Sequence, residues 1–137
     1  MNINNHVRLA TPAELRAHYR NYTVPKLAKY MGGGRGGTVV NCLLYEFARK
    51  FGDPHEAAPK DDWYCYDLDL LGDGKVSAEW FVVTPRGMCC IHDYWWNKRN
   101  ILSINTASNA DSRAMLWCVR WLRNHGLDAR FGIIKDS

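Results

Sequence analysis

The chain has 137 residues, 47% of them hydrophobic, so it can form one domain with an apolar core that needs no disulfide or metal to stabilise it. Eighteen basic and 14 acidic residues give a net charge of +4, a mild excess spread along the chain that disfavours a dedicated nucleic-acid-binding domain. No N-terminal apolar run and no stretch of about 20 apolar residues is present, which excludes a signal peptide and a membrane span. We therefore expect a soluble protein made in the cytoplasm.

Five cysteines, an odd number, occur without a CxxC pair. Cys89 and Cys90 are adjacent, so on a strand their side chains would point to opposite faces. No spacing matches a zinc site, and no metal is expected. Reduced thiols are the expected state, as in most cytoplasmic proteins.

The first part of the chain predicts a leader, a strand and a helix. Residues 1–5 are expected to be loose, and residues 6–9 to form a short strand. The Thr-Pro-Ala-Glu segment at 11–14 is a strong helix start, because Thr caps, Pro suits the first helical position and Glu completes a capping box. This helix should run to about Tyr22 and end before Pro25.

A second short helix is expected at 26–31, followed by the glycine-rich segment 32–37, which we interpret as a flexible connector. Thr38 is expected to cap a helix that runs to Phe51, because apolar residues recur there at helical spacing. The apolar side of this helix comprises Val40, Leu43, Leu44, Phe47 and Phe51. The opposite side carries Cys42, Glu46 and Arg49.

The rest of the chain predicts a meander and then a β-α-β unit. Strands are expected at 63–71, 76–84, 88–96, 101–106 and 129–134, with turns at 72–74, 85–87 and 97–100. Before the last strand, a helix is indicated by an apolar stripe and by Gly126, which should end it. The stripe comprises Met115, Cys118, Val119 and Leu122. We therefore predict an α+β fold in one domain over 1–137: a single, mostly antiparallel sheet of about five or six strands with about three helices.

The segment Asn109-Ala-Asp-Ser-Arg-Ala114 and the helix after it form a unit that resembles the core of the GNAT acetyltransferase superfamily. In that family, a loop of pattern Arg/Gln-x-x-Gly-x-Gly/Ala binds the pyrophosphate of acetyl-CoA through its amides, and a helix and a strand follow. Here Asn109 replaces Arg or Gln, Ser112 replaces the central Gly, and Ala114 matches the last position. Residues 7–15 also look like the family's first strand and helix, and residues 80–91 like its second and third strands.

The resemblance implies acetyl-CoA as a cofactor and, in an active protein, transfer of an acetyl group to an amine. The residues it implies for cofactor binding are Asn109, Ser112, Arg113, Ala114 and Met115. Two departures stand out: Asp111 puts a negative charge where phosphate would lie, and we expect the family's last helix and strands to be missing. Some short internal virion proteins of tailed podophages look like GNAT domains of similar size, so a degenerate copy would be a structural or interaction protein, in a virion if it comes from a phage.

An alternative is a papain-like cysteine hydrolase or deamidase. Cys42 is expected in the first turn of a helix after a glycine-rich loop, where the helix dipole would lower the pKa of its thiol. His92, on a later strand, would be the base, and Asn105 would orient it. The segment 37–52, Gly-Thr-Val-Val-Asn-Cys and onward, also looks faintly like the Cys helix of papain-fold glutamine deamidase toxins.

A third interpretation is a binding module. Residues 93–100, Asp-Tyr-Trp-Trp-Asn-Lys-Arg-Asn, combine aromatic and basic side chains, and the last helix adds Arg113, Trp117, Arg120 and Trp121. Such a surface suits a protein partner, because Trp, Tyr and Arg are common interface anchors, and it also suits single-stranded nucleic acid. A protein partner through this Trp/Arg-rich surface is the expectation we favour. The pattern leaves open whether the two helical tryptophans belong to the core or to an interface.

Overall fold

The computed structural model describes residues 6–20, 37–66, 76–95, 97–106 and 113–131, with only the backbone for 18–20. In these ranges the chain forms one antiparallel sheet of seven strands and three α-helices, which confirms the predicted α+β fold with a single sheet. The predicted leader at 1–5, helix at 26–31 and turn at 72–74 lie outside the described residues.

The strands are β1 (Arg8–Leu9), β2 (Thr38–Asn41), β3 (Glu56–Ala57), β4 (Ala78–Thr84), β5 (Gly87–His92), β6 (Ile101–Thr106) and β7 (Asp128–Arg130). The sheet has the strand order β1-β4-β5-β6-β2-β7, and β3 lies along the same edge of β4 as β1. The helices are α1 (Pro12–Arg20), α2 (Leu44–Phe51) and α3 (Arg113–Asn124), with a 3-10 turn at Lys60–Asp62. The strands β2 and β3 were not predicted.

The start of α1 is the predicted capping box. The backbone N–H of Thr11 donates to Glu14 Oε1 (2.8 Å), and the backbone N–H of Glu14 donates to Thr11 Oγ1 (3.1 Å). Pro12 is the first helical residue, where its missing N–H costs nothing. These contacts satisfy two of the N–H groups that a helix start would otherwise leave unpaired.

The helix predicted from Thr38 to Phe51 is wrong in its first part. Thr38–Asn41 is the strand β2, which pairs antiparallel with β6 on one side and β7 on the other. Three β-branched residues in a row at 38–40 favour extended backbone, and the central position lets both edges of the strand bond. Leu43 is still extended at the N-cap, so α2 begins only at Leu44.

The strand predicted at 63–71 is also wrong where it is described, and the rest of it lies outside the described residues. Trp63 and Tyr64 form a turn, with Tyr64 at a φ of 72°. The Trp63 indole N–H donates to the Ala58 carbonyl (2.8 Å), and the backbone N–H of Tyr64 donates to the Ser77 hydroxyl (2.7 Å). These two contacts replace the ladder bonds that a strand would make.

The main core lies between one face of the sheet, here called the main face, and the helices α2 and α3. Phe47 of α2 packs on Trp80 of β4 with ring centroids 4.6 Å apart. Trp121 of α3 is buried and packs on Phe51 at 4.8 Å, while Trp117 is partly buried against the same core. The sequence left open whether Trp121 belongs to the core or to an interface, and its burial shows that it is a core residue.

The opposite face, here called the second face, is covered in part by α1. Leu15 of α1 packs against a small cluster of Ala10, Phe81 and Cys90. Side chains alternate along β5, so Cys89 and Ile91 belong to the main core, while Cys90 and His92 lie on the second face. This alternation decides which of the predicted site residues can meet.

Candidate functional site

The predicted β-α-β unit is present in the described residues as β6, α3 and β7. Since β2 is antiparallel to both β6 and β7, those two strands run parallel to each other in the same sheet. The helix α3 joins them across the main face and ends at Asn124, just before Gly126, which has a φ of 83°. Glycine adopts this left-handed backbone at little cost, which is why it ends the helix.

The start of α3 combines features that suit an anion. Arg113 is exposed, Ala114 is wholly buried, Met115 is partly buried, and the first turn contains no acidic residue. The backbone N–H groups at the start of this 12-residue helix carry partial positive charge, and the Arg113 side chain carries a full one. The two remaining residues of the predicted cofactor site, Asn109 and Ser112, lie outside the described residues. In charge and in side-chain size, the described residues fit a pyrophosphate.

The position of β2 limits where a long ligand could lie. β2 occupies the space between β6 and β7, and its pairing with β6 reaches from Ile101 to Ile104. A ligand bound at the start of α3 therefore cannot extend between β6 and β7 along those residues. Asn105 and Thr106, the last two residues of β6, lie beyond this pairing.

Cys42 does not lie in a helix, contrary to the prediction. It follows β2, and its backbone N–H donates to the Asn100 carbonyl (2.7 Å). Its side chain belongs to the main core, and it also lines an open depression of about 450 Å³ beside Glu46 and Arg49. Burial, with a smaller contribution from the Glu46 carboxylate, raises the thiol pKa to about 11. The expectation of a lowered pKa at Cys42 is therefore corrected.

His92 and Asn105 are brought together, but Cys42 is not brought to them. The Asn105 Nδ2 and His92 Nε2 atoms lie 2.7 Å apart on the second face of the sheet. Cys42 packs on the main face with Val40, at the other side of the sheet layer. The three residues of the predicted hydrolase site therefore do not form a single site in this structure.

The cysteine that shares a face with His92 is Cys90, which our sequence analysis did not consider for this role. Cys90 Sγ donates to Glu79 Oε2 (3.7 Å), and burial raises its pKa well above the ordinary value. A buried thiol with a raised pKa is mostly protonated at neutral pH, which disfavours a role for Cys90 as a nucleophile. The signal that could have identified it is the two-residue spacing to His92, which places both side chains on one face of a strand.

A group of mostly polar side chains lies on the second face of the sheet, across β4, β5 and β6. Two rows of directly opposed residues define it: Glu79, His92 and Ser103 in one row, and Phe81, Cys90 and Asn105 in the next. All except Glu79, which is half-buried, are buried. Burying polar groups in the middle of a sheet costs free energy unless they are hydrogen-bonded, so the stability of this group depends on its hydrogen bonds.

The connection between β5 and β6 exposes aromatic and basic side chains. Trp95 is 53% exposed, and Lys98 and Arg99 are exposed as well. The Arg99 guanidinium lies 4.8 Å from the centre of the Tyr64 ring, a cation–π contact that helps to fix this connection. Among the described residues of the aromatic and basic surface predicted from the sequence, those in this connection are the most exposed.

Within the described ranges, no three His, Cys, Asp or Glu side chains are grouped so that they could hold a metal ion. In the same part of the chain, no helix combines the length and apolar character needed to cross a bilayer. Comparisons of the chain with protein-family models, with curated proteins and with solved structures found no match.

Proposed function

We propose that this chain is a GNAT-like domain that binds acetyl-CoA at the start of α3 and transfers the acetyl group to an amine. One observation supports this most strongly: the start of α3 carries a wholly buried Ala114 beside an exposed Arg113, with no acid in its first turn. A helix start of this composition favours a phosphate-bearing ligand.

Several residues of the chain would each contribute to binding the ligand. Arg113 would pair with a phosphate, and the backbone N–H groups of the first helical turn would donate to its oxygens. Ala114, with its small side chain, keeps the helix start close to the sheet. Asn109 and Ser112, which precede α3 in the sequence, are the other residues that the GNAT resemblance implies for this site. When bound, acetyl-CoA supplies the activated acetyl group.

Thermal unfolding with acetyl-CoA tests this proposal. A ligand that binds only the native state stabilises it, by about 2.7 kcal/mol at roughly 100 times its Kd. We expect millimolar acetyl-CoA to raise the melting temperature of the native sequence. Arg113→Ala should lose most of the increase, while Arg120→Ala, an exposed arginine later on the same helix, should keep it. No increase at millimolar ligand would exclude the proposal.

A second candidate function is supported by the exposed loop between β5 and β6. Trp95 offers a stacking surface, and Lys98 and Arg99 offer charge, which together suit single-stranded nucleic acid or a protein partner. The protein partner is favoured because the net charge of +4 is small.

Fluorescence anisotropy of a labelled oligo-dT separates these two partners. A nucleic-acid module should bind it with an affinity that falls steeply as salt rises. Trp95→Ala should weaken binding more than Phe131→Ala, which removes another exposed ring. Absence of salt-dependent binding would leave the protein interface as the use of this loop.

A further inference from the structure

The depression beside Cys42 lies where three segments of the chain meet: the end of β2, α2 and the connection from α3 to β7. Its volume of about 450 Å³ falls within the range of roughly 300–1,000 Å³ that small-molecule sites occupy. Among the described residues, it is lined by Asn41, Cys42, Glu46, Arg49, Lys50 and Leu127. The amide and all the charged side chains of this set are exposed, so a ligand can reach them from solvent.

The charged side chains of this depression are not paired with one another. Glu46 precedes Arg49 by three residues and Lys50 by four, a spacing at which opposite charges on a helix can form ion pairs. Within the described part of the chain, neither cation has a carboxylate oxygen at ion-pair distance. After burial, the Glu46 carboxylate, which raises the pKa of the Cys42 thiol, and the Lys50 ammonium, which lowers it, have the largest effects. Both charges therefore lie close to the same thiol and are available to a ligand.

Asn41 adds an amide whose orientation is fixed. Its Nδ2 atom donates to Asp128 Oδ2 (2.8 Å), and Arg130 holds the same carboxylate through both of its oxygens. One Asn41 N–H is used in this contact, so the second N–H and the Oδ1 atom remain for a ligand. The inner side of the depression is less polar, because Cys42 is buried and Leu127 is half-buried against the main core.

We infer that this depression binds an α-amino acid with an apolar side chain, such as leucine. Arg49 and Lys50 pair with its carboxylate, and Glu46 pairs with its ammonium group. The apolar side chain lies against Cys42 and Leu127. A ligand with only an anionic group would be repelled by the acid, and one with only a cationic group by the two basic residues.

This site is separate from the one proposed for acetyl-CoA. Asn41 pairs with Ile101 at the first residue of β6, and the depression shares no described residue with the start of α3. Either site can therefore exist without the other, and the two proposals can fail in separate experiments.

NMR titration of the native sequence with L-leucine tests the inference. We expect saturable shifts of the Cys42 and Leu127 backbone amides and of the Arg49 Nε–H signal at leucine concentrations of up to tens of millimolar. N-acetyl-L-leucine lacks the ammonium group, and L-leucinamide lacks the carboxylate. Each should bind at least about tenfold more weakly than leucine, because a charge-assisted hydrogen bond contributes on that order.

The exposed charged residues allow substitutions that do not disturb the core. Arg49→Gln should weaken leucine binding by about tenfold or more. Arg120→Gln, at an exposed arginine of α3, is the matched control and should leave binding unchanged. Glu46→Gln should remove the preference for L-leucine over N-acetyl-L-leucine, a change of specificity that partial unfolding would not produce.

The inference fails if L-leucine causes no saturable shift of these signals, or if N-acetyl-L-leucine and L-leucinamide bind as tightly as leucine. It also fails if Glu46→Gln keeps the ligand preference of the native sequence, or if Arg49→Gln binds leucine as tightly as Arg120→Gln does. The comparison of the three ligands uses the native sequence, so it decides the matter even if a variant does not fold.

Discussion

The Asp93 carboxylate accepts a hydrogen bond from the Tyr66 hydroxyl, and this contact joins the turn after the 3-10 helix to the end of β5. Asp93 Oδ1 also accepts the backbone N–H groups of Ser77 (2.8 Å) and Ala78 (3.2 Å) at the start of β4. Burial and the bond to Asp93 raise the pKa of Tyr66, so its hydroxyl stays protonated and can donate. One almost wholly buried carboxylate therefore connects three segments of the chain.

Replacing this carboxylate should be among the most destabilising polar substitutions in the protein. Asp93→Ala would leave two backbone N–H groups and one hydroxyl without their acceptor, at about 1–3 kcal/mol for each group that stays buried. We expect the free energy of unfolding, measured with urea, to fall by about 3 kcal/mol or more. Asp61→Ala, at an exposed position, is the control and should change it little. Equal effects of the two substitutions would contradict this assignment.

Two aromatic residues of α2 should differ sharply in their contribution to stability. Phe47 is wholly buried against Trp80, whereas Tyr45, two residues earlier, is 37% exposed. Phe47→Ala should reduce the free energy of unfolding by about 3–5 kcal/mol, because it removes buried area and leaves a cavity. Tyr45→Ala should cost clearly less, since its ring packs on Trp63 from the solvent side. Denaturant unfolding of both variants at the same pH measures the difference.

The thiols should differ in reactivity in a way that also tests the hydrolase interpretation. Cys65 is exposed, while Cys42 is buried with a pKa near 11. Because only the thiolate reacts, iodoacetamide at neutral pH should modify Cys65 first, and the rate at Cys42 should rise only as the pH approaches 11. Peptide mass spectrometry resolves the two sites. Fast alkylation of Cys42 at pH 7 would contradict the raised pKa of its thiol.

The sequence predicted best those features that are decided by near neighbours along the chain. The capping box at Thr11 and Glu14 needs only residues three apart, and Gly126 ends α3 through its own backbone freedom. The apolar stripe of α3 repeats within the helix, so Cys118, Val119 and Leu122 could be placed on the core side without knowing their partners.

Features decided by distant parts of the chain were missed. Val39 and Val40 were assigned to a helix on the spacing of the apolar residues around them, although β-branched residues favour extended backbone. Pairing with β6 and β7, far along the chain, makes them a strand. The face on which Cys42 lies follows from that same pairing, since one step of register would turn its side chain to the other side. The turn at Trp63 and Tyr64 also depends on the Ser77 hydroxyl, 13 residues beyond Tyr64, which accepts the backbone N–H of Tyr64.

The pair of Arg8 and Glu14 should make stability depend on pH in the acid range. Both guanidinium terminal nitrogens of Arg8 donate to the Glu14 carboxylate at 2.6 Å, and these bonds, with the Thr11 backbone N–H, lower the pKa of Glu14 from 4.5 to about 2. A depressed pKa in the folded state means that the contribution is complete above about 4.5. It is lost as the pH falls towards 2, because protonation then removes the charge.

We therefore expect Glu14→Gln to lower stability at pH 6 and to leave it nearly unchanged at pH 2, relative to the native sequence. Arg8→Gln should reproduce most of this pattern, since it removes the main cause of the shift. The pair is partly exposed, so the effect should be small and should shrink further in 1 M salt. Carbon-detected NMR titration of the Glu14 carboxyl measures its pKa directly. A midpoint close to 4.5 would show that the two side chains do not hold this contact in solution.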